Sequence, residues 1–127
     1  MGCLTLSFEG FALQDGSPIY TQIVRFVQRG AAAGTVRSGD ELPSRRTLSA
    51  LLGVNPNTVQ KAYRILEEEG LIASRSGAAS CVVLDEAATK RIRAALLERD
   101  AAAFVDAMEQ MGVSRDEALA AVEKSWR

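Results

Sequence analysis

The chain has 127 residues, 47% apolar and 24% charged, the balance of a soluble packed protein with one domain, or one small domain and an appendage. It has no histidine and only two cysteines, Cys3 and Cys81, with no CxxC spacing. That excludes His-based acid–base and nucleophilic catalysis, His-ligated metals, a zinc site and a disulfide framework. Fifteen basic against sixteen acidic residues give a net charge of -1 and a pI near 5.5, which on its face argues against a nucleic-acid binder.

The N-terminus shows no basic segment followed by an apolar stretch, and Leu6 breaks the myristoylation pattern begun by Gly2. No apolar run approaches the roughly 18 residues that span a bilayer. The expected location is the cytoplasm, nucleoid-associated, with no membrane partner and with both thiols reduced.

Residues 4–8 alternate apolar and polar, a short half-buried strand pattern. Asp15-Gly16-Ser17-Pro18 reads as a turn into a helix, with Ser17 as cap and Pro18 at the first helical position. Ile19, Ile23, Phe26 and Val27 form the apolar stripe of that helix, which should end near Gly30 and Gly34. Ser44 is the expected cap of a second helix whose buried face is Leu48, Leu51 and Leu52, stopped by Gly53. Asn55 and Pro56 start a third helix with Val59, Ala62, Ile65 and Leu66 inward, ending at Gly70. So short a connection makes the second and third helices cross steeply as a helix-turn-helix. Two strand-like runs, 71–74 and 81–84, flank a small-residue tip at 75–80; a hairpin in that place is a wing. From Glu86 to Met111 the composition turns to Ala, Leu, Glu and Arg without Gly or Pro, a long helix. Ser114-Arg115-Asp116-Glu117 is a capping box for a last helix striped by Leu119, Val122 and Trp126.

The fold class is thus mainly α (α+β): a winged helix-turn-helix over residues 1–84, with 1–16 as an N-terminal extension, and a two-helix tail over 85–127. The tail has no core of its own, so it either covers the first domain or pairs with another subunit.

No catalytic constellation emerges. Glu67-Glu68-Glu69 occupies consecutive helical positions that diverge, and reads as a solvated charge run. No phosphate-binding glycine loop is present, so the chain reads as a non-enzyme without cofactor or metal. Local charge is more informative. Residues 18–83 carry eight basic and five acidic groups, +3, while the segments before and after are each -2. The positive segment is the helix-turn-helix.

Within it, Arg45 and Arg46 open the second helix, where a guanidinium fork suits phosphates or a guanine edge. Asn55, Asn57, Thr58, Gln60 and Lys61 lie at the start of the third. Asn and Gln read adenine bidentately, Thr bonds phosphate or touches a thymine methyl, and Lys neutralises phosphate. Asn55 has a competing role as cap. Arg75 at the hairpin tip can enter a minor groove.

Leu42-Pro43-Ser44-Arg45-Arg46-Thr47-Leu48, Leu52-Gly53-Val54-Asn55-Pro56-Asn57-Thr58-Val59-Gln60-Lys61-Ala62-Tyr63 and Leu66-Glu67-Glu68-Glu69-Gly70-Leu71-Ile72 resemble the GntR family of bacterial transcription regulators. The tail of about forty residues is similar to that of the YtrA-like subfamily. The resemblance implies a homodimeric repressor on a near-palindromic double-stranded DNA operator, with half-sites roughly 34–36 Å apart. It places DNA contacts on Arg46, Pro56, Asn57, Thr58 and Gln60, and on the wing at Ser76 and Gly77. It makes the long helix the dimer contact, with Ile92, Leu96, Phe104, Met108, Leu119 and Trp126 as the apolar tail residues. Two departures stand out. Pro56 replaces a basic residue of some members, and the wing lacks the family's second glycine and its aromatic. A protein-interaction module, or regulation by a small-molecule effector at the tail interface, are the alternatives.

Overall fold

The computed structural model describes residues 5–14, 16–74 and 79–127. The helices are α1 (Ile19–Ala33), α2 (Arg45–Leu52), α3 (Pro56–Glu68), α4 (Glu86–Gln110) and α5 (Arg115–Ser125), with strands β1 (Ile72–Ser74) and β2 (Ser80–Val82) between α3 and α4. The chain forms two compact units, residues 1–93 and 94–127, which divide within α4.

In the first unit the apolar stripes of three helices face one another. Ile23, Val24, Val27 and Ala31 from α1, Leu48 from α2, and Val59, Ala62, Tyr63 and Leu66 from α3 are buried together. Fully burying one such aliphatic or aromatic side chain contributes about 1.5–3 kcal/mol. The helices therefore hold by packing rather than by propensity alone.

α1 starts one residue later than the sequence predicts. Pro18 is extended (φ -57°, ψ 144°) and occupies the cap position, so Ser17 lies outside and makes no cap bond. Gln22, one turn inside, secures the entering chain instead. Its amide accepts from the Gln14 N–H at 2.8 Å and donates to the carbonyls of Gln14 (2.7 Å) and Ser17 (2.9 Å). At the other end the helix runs through Gly30 to Ala33, because Gly30 is there for proximity rather than termination. A Cβ at Gly30 would collide with Cγ2 of Val36, where the chain folds back. Gly34, at φ 85°, makes the actual stop.

β1 and β2 pair antiparallel in the register Ile72↔Val82, Ala73↔Cys81 and Ser74↔Ser80. Val83 and Leu84, predicted as strand, lie beyond it. Residues 39–42 line the outer edge of β2 through Gly39 N–H to Val82 O (2.8 Å), Val82 N–H to Asp40 O (2.8 Å) and Leu42 N–H to Ser80 O (2.9 Å). Thr5 bridges to Glu41 in parallel. The predicted alternation near the N-terminus is real: Leu6 and Phe8 are buried, Thr5 and Ser7 exposed. Phe8 stacks on Phe26 of α1 at 4.9 Å, and Phe11 meets both rings edge-on at 5.8 and 5.3 Å. Cys81 is a buried free thiol.

In the second unit, α4 ends at Gly112 (φ 71°) with Val113 N–H returning to Met108 O at 2.9 Å. The Ser114 hydroxyl accepts from Glu117 N–H at 3.2 Å and caps α5 as expected. Trp126 is not on the helix face: α5 stops at Ser125 and Trp126 has extended backbone. α5 buries none of its residues.

Candidate nucleic-acid interface

The turn between α2 and α3 depends on Gly53, at φ 68°, a conformation costly for any residue with a Cβ. Ser49, nearly buried on α2, donates its hydroxyl to Val54 O across the same turn. Asn55 then caps α3, its side chain accepting from Asn57 N–H at 2.8 Å, with Pro56 at the first helical position. The Ser44 hydroxyl caps α2 by accepting from Thr47 N–H at 3.0 Å.

Tyr63 ties the two helices together. Its ring is buried in α3, and its hydroxyl donates to Pro43 O at 2.6 Å, just before α2. The Arg45 guanidinium lies over the same ring at 5.2 Å. Burial pushes the Tyr63 hydroxyl pKa well above the ordinary phenol range, and the positive charge of Arg45 opposes this in part. Tyr63 escaped the sequence reading, although its spacing of four from Val59 and three from Leu66 placed it on the inward stripe.

The structure separates the two arginines assigned to DNA. Arg45 is half-buried against Tyr63, with its Nε enclosed and without a hydrogen-bond partner, so it braces the start of α2. Arg46 is exposed. Along α3, Asn57, Gln60 and Lys61 are exposed on one face, and Arg64, which the sequence reading left out of the site, continues that row one turn further. Thr58 is half-buried at its edge, while Asn55 and Pro56 are exposed at the helix start. Lys61 Nζ sits 4.0 Å from the centroid of the Tyr20 ring on α1. Arg75, Ser76 and Gly77 lie outside the described residues.

The acidic run is more engaged than a solvated face. Glu67 accepts from the Ser74 hydroxyl at 2.8 Å, linking α3 to β1, and Glu69 accepts from Gln28 of α1 at 2.9 Å. Leu51, expected in the core, is 66% exposed because α2 is only two turns long and turns Leu48 and Ser49 inward.

Of the residues assigned to dimerisation, Ile92 packs against the core of its own chain, and Leu96 is only 7% exposed without a partner. Neither offers much surface to a second subunit. Leu97 (68% exposed), Phe104 (39%) and Met111 (64%) do, and they recur every seven residues. With Ala94, Ala101 and half-buried Met108 they trace a continuous a/d seam on α4. Leu119 and Trp126 are also exposed. The seam was present in the sequence, but was passed over for the 3.6-residue stripe through Ile92 and Leu96.

An exposed helix start carrying amides, a hydroxyl and cations, braced by a second helix with a free guanidinium, matches the width and donor–acceptor pattern of a DNA major groove. Comparison with known proteins agrees. Residues 19–82 match the family described as bacterial regulatory proteins, gntR family. The chain is 42% identical over 64 residues to the HTH-type transcriptional repressor YtrA of Bacillus subtilis (strain 168), covering 50% of this chain and 49% of that protein's length. It is 27% identical over 110 residues to the uncharacterized HTH-type transcriptional regulator YhcF of the same strain, covering 87% of this chain and 91% of that one. A GntR family transcriptional regulator from Listeria monocytogenes superposes with a TM-score of 0.76 at 31% identity, covering 90% of this chain and all of that chain. Among the described residues no helix is long and apolar enough to cross a membrane.

Proposed function

The chain belongs to the gntR family of bacterial regulatory proteins, and from that premise we propose that it is a YtrA-like, sequence-specific DNA-binding transcription regulator acting as a dimeric repressor. Residues 1–84 form the DNA-reading domain and 85–127 the dimerisation tail. α3 enters the major groove by its N-terminal end. There Asn57, Thr58 and Gln60 face base edges or phosphates, while Lys61 and Arg46 neutralise phosphate. Asn55 and Arg45 hold the helices in place, and the wing at Arg75, Ser76 and Gly77 adds contacts beside the groove. Two copies joined along the α4 seam present paired reading heads to a near-palindrome. The tail interface is also where a small-molecule effector would act, if the regulator has one.

The observation that carries this reading is the exposed row Asn57, Gln60, Lys61 and Arg64 beside exposed Arg46, on a scaffold whose opposite face is fully buried. Footprinting on DNA flanking its gene, with Arg46→Ala alongside, tests it. The expected result is a two-fold-symmetric protected site that Arg46→Ala loses while its thermal melt and sedimentation stay unchanged. Unaltered affinity and specificity of Arg46→Ala would overturn the role of Arg46, and absence of any footprint would overturn DNA binding.

A further inference from the structure

We propose that Tyr20, on the first turn of α1, is a positioning residue that fixes the ammonium of Lys61 for a DNA phosphate, so that α1 as well as α3 shapes the interface. The inference rests on the DNA-binding reading above. Lys61 Nζ stands 4.0 Å from the Tyr20 ring centroid, well inside the range of about 6 Å for attraction by the ring quadrupole. The kind of partner matters. A carboxylate would cancel the charge of Lys61, whereas a π face restrains the ammonium and leaves the charge available to an anion on its open side. The ion pairs among the described residues do not involve Lys61.

The placement is rigid at both ends. Ile23, Val24 and Val27 of α1 and Val59 and Ala62 of α3 are buried against each other's helices, so the ring and the base of the lysine cannot drift apart. Lys61 follows Asn57 by one turn and therefore lies on the face assigned to DNA. A free lysine side chain gives up much rotamer entropy when it docks. One already held over a ring gives up less, and that difference appears as affinity.

The test uses the full chain and the DNA fragment it protects, with affinities measured across a salt series. Lys61→Met should lower the magnitude of the log K against log salt slope by about 0.9, the loss of one phosphate contact. Tyr20→Leu should weaken binding about two- to five-fold, as befits an exposed cation–π contact, while Tyr20→Phe keeps wild-type affinity. In the Lys61→Met background, Tyr20→Leu should cost nothing further. The wild-type free protein supplies a readout that needs no variant: ring-current shifts on the Lys61 ε-protons in its NMR spectrum. An equal cost of Tyr20→Leu in both backgrounds, an unchanged slope in Lys61→Met, or unshifted ε-protons would overturn the proposal while leaving DNA binding in place. A wild-type chain that binds no DNA would overturn both.

Discussion

Tyr63→Phe removes one oxygen at the joint between α2 and α3, and the structure fixes both the size and the pH dependence of the result. The ring stays, so the buried packing and the stacking of Arg45 at 5.2 Å persist. What is lost is the hydrogen bond from the hydroxyl to Pro43 O at 2.6 Å, and the carbonyl left behind is only half-buried. A net hydrogen bond plus partial desolvation of that acceptor amounts to about 1–2 kcal/mol near neutral pH. Burial raises the folded-state pKa of Tyr63, with Arg45 opposing in part, so the phenol ionises first in the unfolded chain, at about pH 10. Its contribution is fully present below that pH and drains away as the pH rises toward the folded-state value. One unit above the unfolded pKa, wild type should have lost about 1.4 kcal/mol from this group and the phenylalanine variant none. All other titrating groups are shared and cancel in the difference. Urea unfolding at about pH 7, 9 and 11, at one fixed protein concentration, should therefore show the gap between the two proteins closing at the alkaline end. A gap that stays constant would refute the reasoning, because it would mean that the phenol ionises as easily folded as unfolded.

Other expectations follow from single contacts. Gly30→Ala should destabilise the first unit by about 1–3 kcal/mol, because its Cβ meets Val36 at a packed turn; calorimetry should show a lower Tm. Asn55→Ala should cost about 1 kcal/mol of stability and Asn55→Asp much less, since aspartate also caps; if Asn55 only caps, Asn55→Asp largely preserves the binding site's sequence preference, measured by competition with mutated operators. Leu97→Glu with Phe104→Glu should shift the chain to monomer in sedimentation velocity, while leaving the first unit's melt unchanged.

Most of the fold was legible because its punctuation is chemical. Gly53, Asn55-Pro56, Gly112 and Ser114 each carry a backbone requirement that few other residues meet, and each sits where the sequence placed it. What could not be read were features defined by a distant partner. Gly30 looks like a helix stop until Val36 is seen against it. Ser17 looks like a cap until Pro18 takes the extended conformation that shifts the helix by one residue. The same holds for the candidate site. Residue type put Arg45, Arg46 and the start of α3 at the interface, but only the Tyr63 ring separates the bracing Arg45 from the exposed Arg46. Tyr20 and Lys61 are 41 positions apart, and no spacing rule connects them. Ile92 and Leu96 were assigned to a partner because a stripe on a long helix does not say whether its own chain already covers it.

The division of charge gives the seam a role beyond holding two copies together. A reading head of +3 flanked by acidic segments has few cations with which to displace counterions, so one head alone should bind DNA weakly and lose affinity steeply with salt. Joining two heads makes the second contact intramolecular, at an effective concentration set by the tail, without adding a single phosphate contact per head. Affinity therefore depends on the product of a modest head and a firm tail. The charge-reversed seam variant, Leu97→Glu with Phe104→Glu, should lose more operator affinity than the phosphate-contact variant Lys61→Met, although it alters no residue of the reading head. Mobility shifts at a fixed protein concentration distinguish the two, and equal losses would show that the heads bind independently.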